Sequence, residues 1–207
     1  MNLKKRTFFF CLCLFLCFGV KNVMAQTLYT VQPNDSMWKI AVKYQIGVSE
    51  IINANPEVSN PNLIYPGQKL KIPALSEQIT THENEVLRLV NLERTNRGLA
   101  PLKSNWQLSR VARYKSQDMI DKNYFSHQSP TYGSPFMMME NFGLKFSAAG
   151  ENIAMGQRTP QEVVTSWMNS PGHRSNILSS NYNELGVGLA TTKSGVKYWT
   201  QMFIKSY

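Results

Sequence analysis

The segment Trp167-Met168-Asn169-Ser170-Pro171-Gly172-His173-Arg174-Ser175-Asn176-Ile177-Leu178 brings a helix end, a turn signal and a histidine together. Just upstream, Thr159-Pro160-Gln161-Glu162 starts a helix. Thr159 caps it, Pro160 takes the first position, where no N–H is needed, and Glu162 completes a capping box. Val163, Val164 and Trp167 then share the inward face. Ser170-Pro171-Gly172 breaks the periodicity, so His173 is expected in a turn-rich loop, where functional groups concentrate. His127 lies in a similar setting, Tyr124-Phe125-Ser126-His127-Gln128-Ser129-Pro130, and Glu151 stands between the two in Ala148-Ala149-Gly150-Glu151-Asn152-Ile153. Separations of 24 and 22 residues fit no zinc signature. Spacing leaves two readings open: a His-Glu-His metal or acid/base site, and a set of satisfied structural hydrogen bonds.

Working outward, Thr80-x-x-Glu83 reads as a capping box that opens a helix to about Arg97, with Gly98 stopping it. Ser104-x-x-Gln107 reads as the start of a second helix with Leu108, Val111, Ala112 and Met119 inside, and Pro135 to Phe142 as a short third. Leu185 to Thr191 and Tyr198 to Ile204 alternate as two strands about a turn at Lys193-Ser194-Gly195. Helices outnumber strands and the strands come late, which predicts an α+β, layered α-β-α domain over residues 81–207.

This part of the chain resembles the CAP superfamily of cysteine-rich secretory proteins, antigen 5 and plant pathogenesis-related proteins. The resemblance is carried by Tyr124-Phe125-Ser126-His127, Gly150-Glu151-Asn152-Ile153-Ala154, Trp167 through Leu178, and Gly186-Val187-Gly188. It implies an α-β-α sandwich with a cleft of two histidines and two glutamates. His127, Glu151 and His173 take three of those places. The fourth, three residues after the motif tryptophan, is Ser170, so the set is incomplete. Glu184 substitutes only if the fold brings it near, and Glu162 is better explained as a cap. No cofactor is required on this reading. Two imidazoles and a carboxylate can nevertheless hold Zn²⁺ with an open position, which makes His127 and His173 candidate ligands for a divalent metal. Glu151 is expected to accept from both rings and to raise their pKa values. There is no G-x-S-x-G elbow and no H-E-x-x-H, so the sequence does not license an enzyme name.

Residues 28–73 have a pattern of their own. Leu28-Tyr29-Thr30-Val31 is β-prone, and Asn34-Asp35-Ser36 offers helix caps. Met37, Ile40, Ala41 and Tyr44 form one helical face, which Gly47 is expected to end. Val48, Ile51 and Ile52 mark a second helix closed by Asn55-Pro56, and Gln68 to Ile72 alternates as a strand after the Pro66-Gly67 turn. So small a β-α-α-β unit needs close packing, expected from Trp38, Ile40, Ile51 and Leu70. Through Tyr29-Thr30-Val31, Asn34 to Ala41, Asn53-Ala54-Asn55-Pro56 and Ile64 to Leu70, the segment resembles a LysM module. That resemblance implies binding of N-acetylglucosamine glycans, in peptidoglycan or chitin, in a groove between Asp35, Ser36 and Met37 on one side and Asn62, Leu63 and Ile64 on the other. Asp35 and Ser36 read equally well as helix caps. Residues 74–80 are expected to link the two units.

Residues 1–25 read as a secretory signal: Lys4-Lys5-Arg6, an apolar run from Phe8 to Val20 too short to span a bilayer, and Val23-Met24-Ala25 before the cleavage point. All three cysteines, Cys11, Cys13 and Cys17, fall in this segment, so the chain after cleavage has no disulfide and no thiol. Removing four of the 22 basic residues leaves 18 against 13 acidic, a net charge of +5 rather than +9. Without a Lys/Arg cluster this points to an acidic polymer such as a cell wall, not to nucleic acid. Three readings follow. The first is a secreted, wall-associated protein tethered to peptidoglycan, without a stable membrane span. The second is a metal-assisted hydrolase, and the third is a structural protein of the envelope or spore coat, partnered by other coat proteins at the spore surface.

Overall fold

The computed structural model describes residues 26–207. The cleavage point and the signal segment, residues 1–25, lie outside the described residues. Among the described residues no helix is long and apolar enough to cross a membrane.

The N-terminal unit is β-α-α-β. Strand β1 (Gln26–Thr30) pairs antiparallel with β2 (Lys69–Pro73), and helices α1 (Met37–Tyr44) and α2 (Val48–Ala54) fold between them. Ser36 caps α1 by accepting from the Lys39 N–H, and Asn34 enters the turn at φ 69°, a conformation asparagine tolerates. Gly47 does not end α1. Gln45 does so, in the left-handed region at φ 54°, and Gly47 is instead the N-cap of α2. Ile40, Ile51, Leu70 and Ile72 form the small core together with Val31, Met37, Ala41 and Ile46. Asn55 is buried and ties α2 to β2, donating to the Ile51 and Lys71 carbonyls and accepting from the Lys71 N–H. Trp38 corrects the expected core: its side chain points outward and the residue is 66% exposed. Met37 and Ile40 already fill the inward positions of a two-turn helix, so the tryptophan between them falls on the other face.

The C-terminal domain is an α-β-α sandwich. Its sheet has the order β3-β5-β6-β4, formed by β3 (Lys103–Ser104), β4 (Ala148–Met155), β5 (Glu184–Thr191) and β6 (Lys197–Lys205). Only β3, a two-residue strand, runs parallel to its neighbour; the other pairings are antiparallel. Helix α4 (Trp106–Asp121) and the short α5 (Pro135–Asn141) cover one face, burying Leu108, Val111, Ala112, Met138, Met139 and Met202. Helices α3 (Glu77–Thr95), α6 (Pro160–Asn169) and α7 (Pro171–Ile177) cover the other, where Val86, Val90, Val163, Trp167, Trp199 and Phe203 pack. Buried Arg94 fastens α3 to the end of α7 through the Ile177 and Ser179 carbonyls.

Several sequence expectations shift. Helix α3 starts at Glu77 with Ser76 as its cap, so the irregular connection is only 74–76, and Thr80-x-x-Glu83 is not a capping box. Glu83 is buried instead. It receives Arg113 through two guanidinium nitrogens and the Leu189 N–H, and burial pushes its carboxyl above the ordinary range against the pull of those donors. Asn105, not Ser104, caps α4. His173 lies in α7 rather than in a loop, because Pro171 opens a second helix immediately after α6. Glu151 lies on a strand, the edge strand β4.

The two units touch. Arg110 of α4 holds the Glu50 carboxylate of α2 with Nε–Oε1 at 2.6 Å and Nη2–Oε2 at 2.9 Å, and these side chains are only 20% and 26% exposed. Burial pushes Glu50 up, but the hydrogen bonds from Arg110 and Ser49 outweigh it and hold the carboxyl below its usual range. The guanidinium also lies against the rings of Tyr114 and Phe142, 5.1 Å from each centroid.

Candidate functional site

The free edge of the sheet, β4, is where the two helical layers meet. The chain leaving α4 turns back through 123–133 and carries His127 to this edge, and α7 brings His173 from the opposite layer. Glu151 projects from the α4 face of β4. Its side chain is 1% exposed, while that of His127 is 55% exposed, and Nδ1 of His127 lies 2.7 Å from Oε1 of Glu151. With the proton on Nδ1, His127 presents the Nε2 lone pair outward. The second carboxylate oxygen of Glu151, Oε2, is buried and finds no partner among the described residues.

The surroundings of the pair were not legible from spacing. Lys115 is fully buried in α4 and donates to the His127 carbonyl at 2.7 Å. Burial pushes the Lys115 ammonium down, opposed by the charges of Glu151 and Asp118. Asp118, one turn on, accepts from the hydroxyls of Tyr124, Ser129 and Thr131 at 2.6–2.7 Å and so pins the loop that carries His127. On the other face of β4, Asn152 donates to the His173 carbonyl and to Gln201, and Asn176 donates to the Glu151 carbonyl and to Asn152. The signal for these roles is the pattern Glu151-Asn152 with His173-x-x-Asn176. A strand residue facing one layer alternates with one that grips the other.

His173 makes no hydrogen bond to Glu151 among the described residues, so the carboxylate serves one ring, not both. The expected rise of its pKa is also reversed: burial, and then the neighbouring His127, hold His173 below the ordinary 6.5. The sign for stability follows. As pH falls, the unfolded chain takes up this proton first, so the contribution of His173 is intact above pH 6.5 and is lost below it. We expect an NMR titration to place the His173 midpoint below 6.5, and His127→Ala to move it upward; an unmoved midpoint would refute the coupling.

Ser170 ends α6 and begins α7, and its hydroxyl makes no cap hydrogen bond. Glu184 does not replace the absent carboxylate. It lies at the start of β5, bound to Asn105 and Ser206. No three His, Cys, Asp or Glu side chains among the described residues come close enough to hold a metal. His127, Glu151 and His173 thus do not stand together as a three-donor zinc site among the described residues. No serine hydroxyl bonds either imidazole among the described residues; Ser126 accepts from the Gln128 N–H as a turn residue does.

A concavity of about 260 Å³ lies on the N-terminal unit. Asp35, Ser36, Met37 and Trp38 line one side of it and Pro61, Asn62, Leu63 and Ile64 the other. The residues of the two loops expected to form a groove thus come together. Asp35 is held internally: it accepts from the Tyr29 hydroxyl at 2.6 Å and the Gln32 N–H at 2.8 Å, and both bonds keep its carboxyl below the usual range. The same bond pushes Tyr29 up to about 12. Met37 contributes to the floor from the core.

Comparison with known proteins settles the family. The cysteine-rich secretory protein (CAP) family profile matches residues 87–203, and the LysM domain profile matches residues 29–73. The chain belongs to the CAP family and carries a LysM domain. The uncharacterized protein YkwD of Bacillus subtilis is 53% identical over 144 residues, which are 65% of this chain and 55% of that protein. An extracellular protein containing an SCP domain from Bacillus anthracis superposes with a TM-score of 0.59 at 33% identity, covering 68% of this chain and 47% of that one. The LysM segment is 49% identical over 47 residues to the SpoIVD-associated factor A of Bacillus subtilis, covering 23% of this chain and 12% of that protein. The chain spans about half the length of the first curated relatives it matches.

Proposed function

We propose that this is a secreted protein of the bacterial envelope that binds the N-acetylglucosamine strands of peptidoglycan through its LysM groove and presents the CAP cleft at the wall. The observation that carries this reading is the meeting of the 35–38 loop and the 61–64 loop around one concavity, with an exposed tryptophan on its rim. An exposed indole beside a shallow polar groove suits a sugar, which has an apolar face and a polar edge. Secretion and loss of residues 1–25 are part of the proposal.

The CAP cleft is read as a binding site rather than a hydrolytic centre. Its imidazoles and the buried, half-satisfied Glu151 offer polar contacts to a ligand, while no hydroxyl bonds either imidazole among the described residues. A spore-surface role is a second reading. It is favoured by the LysM relative SpoIVD-associated factor A, which matches over that segment alone.

Leu63→Asp tests the groove. Leu63 is exposed, so the fold should persist, but a carboxylate would stand where the glycan lies. We expect co-sedimentation with insoluble peptidoglycan to weaken about tenfold or more, equivalent to roughly 1.4 kcal/mol. His173→Ala should sediment like the parent protein. Undiminished binding of Leu63→Asp would move the tether elsewhere.

A further inference from the structure

Beside the LysM groove lies a second crevice, of about 210 Å³, formed by both domains. Trp38 and Val48 line both the crevice and the groove, so the exposed indole borders both spaces. From the CAP side the crevice receives Trp106, Gln107, Arg110 and Phe142. Trp106 is half-buried at the first position of α4, and Gln107 is exposed.

We propose that this crevice is an additional sugar subsite, so that a glycan chain held in the LysM groove runs past Trp38 and places its next unit against Trp106 and Gln107 of the CAP domain. The proposal rests on the groove reading above and extends it: the CAP domain would contribute to glycan recognition itself. Three observations support it. The volume falls below the range of about 300–1,000 Å³ typical of drug-sized ligands and suits one sugar unit. Its lining combines two indoles with an exposed side-chain amide, which matches the apolar face and the hydroxyl and acetamido edges of a hexosamine. Finally, the crevice is held open in advance. The Arg110–Glu50 pair fixes α2 against α4, and Gly47 lets the chain pass so close that a Cβ there would overlap the Arg110 guanidinium. A preformed subsite loses less ordering entropy on binding than one assembled by domain closure.

The test compares chitotriose with the longer chitohexaose, by calorimetry on the chain from residue 26. The parent protein should bind the hexaose roughly tenfold more tightly, the size of one aromatic contact. Trp106→Ala should lose that increment and leave chitotriose binding unchanged. Register multiplicity of the longer oligomer survives in the variant, so the comparison reads only the part that depends on Trp106. Because Trp106 is half-buried, Gln107→Ala provides a fully exposed second probe and should reduce the increment in the same direction. If chitotriose binds but the increment is missing, or persists in both variants, the subsite is refuted and the groove reading stands. If neither oligomer binds, both readings fall.

Discussion

Gly188→Ala is expected to cost at least about 3 kcal/mol, or roughly 6–12 °C in Tm for a domain of this size. Gly188 lies in β5 directly beneath α4, and a Cβ there would fall inside the backbone at Ala112 and Arg113. Gly186, two residues earlier on the same face, meets Leu108 and Ser109 in the same way. The obstacle is main chain, so no rotamer change relieves it, and α4 must lift from the sheet. That would disturb Lys115 and Asp118, which hold the His127 loop, so cleft geometry and stability should fail together. Gly172→Ala is the control: nothing lies within 4 Å of its Cβ position, and the change should be neutral or slightly stabilising. A thermal melt of Gly188→Ala within about 2 °C of the parent would show that the helix does not rest on the sheet as described.

Trp167→Ala should be comparably severe, at about 3–5 kcal/mol out of a total of roughly 5–15. The indole is 1% exposed in the core between α6 and the sheet, and its N–H donates to the Ile153 carbonyl at 3.3 Å. Truncation leaves a cavity and also frees β4 two residues from Glu151. Near-UV circular dichroism should lose intensity, and the melting point should fall by many degrees. Trp38→Ala should change stability by no more than about 0.5 kcal/mol, because that indole is largely in solvent. If the two variants melted alike, the assignment of one tryptophan to the core and the other to a binding surface would be wrong.

That pair of tryptophans separates what sequence specified from what the fold decided. Periodicity placed Trp167 inward because a ten-residue helix repeats its apolar face often enough to define a direction. In the eight-residue α1 periodicity already set Met37, Ile40 and Ala41 on one face; the core placement expected of Trp38 ran against that pattern, and the packed unit leaves its indole outside. Capping was read best where two signals coincided: Thr159-Pro160 with Glu162 was correct, and Glu162 does accept from the Arg158 N–H. A single box misled at Thr80, because Ser76 offered an equivalent hydroxyl one turn earlier and Glu83 was needed for Arg113.

For the cleft, the sequence determined by itself which residue types stand at positions 127, 151, 170 and 173, and the resemblance to the CAP family marked Ser170 as standing where the second carboxylate is usual. It could not determine how they meet. The pairing of Glu151 with His127 rather than with both rings depends on the side of β4 from which the carboxylate emerges, and β4 itself was missed. A strand with the burial sequence of Ala148–Met155 is covered on both faces, so it shows no alternation to read. The depressed pKa of His173, the buried Lys115 and the Asp118 clasp likewise arise from groups far apart in the chain, whose mutual charge and desolvation exist only once the two helical layers close over the sheet edge.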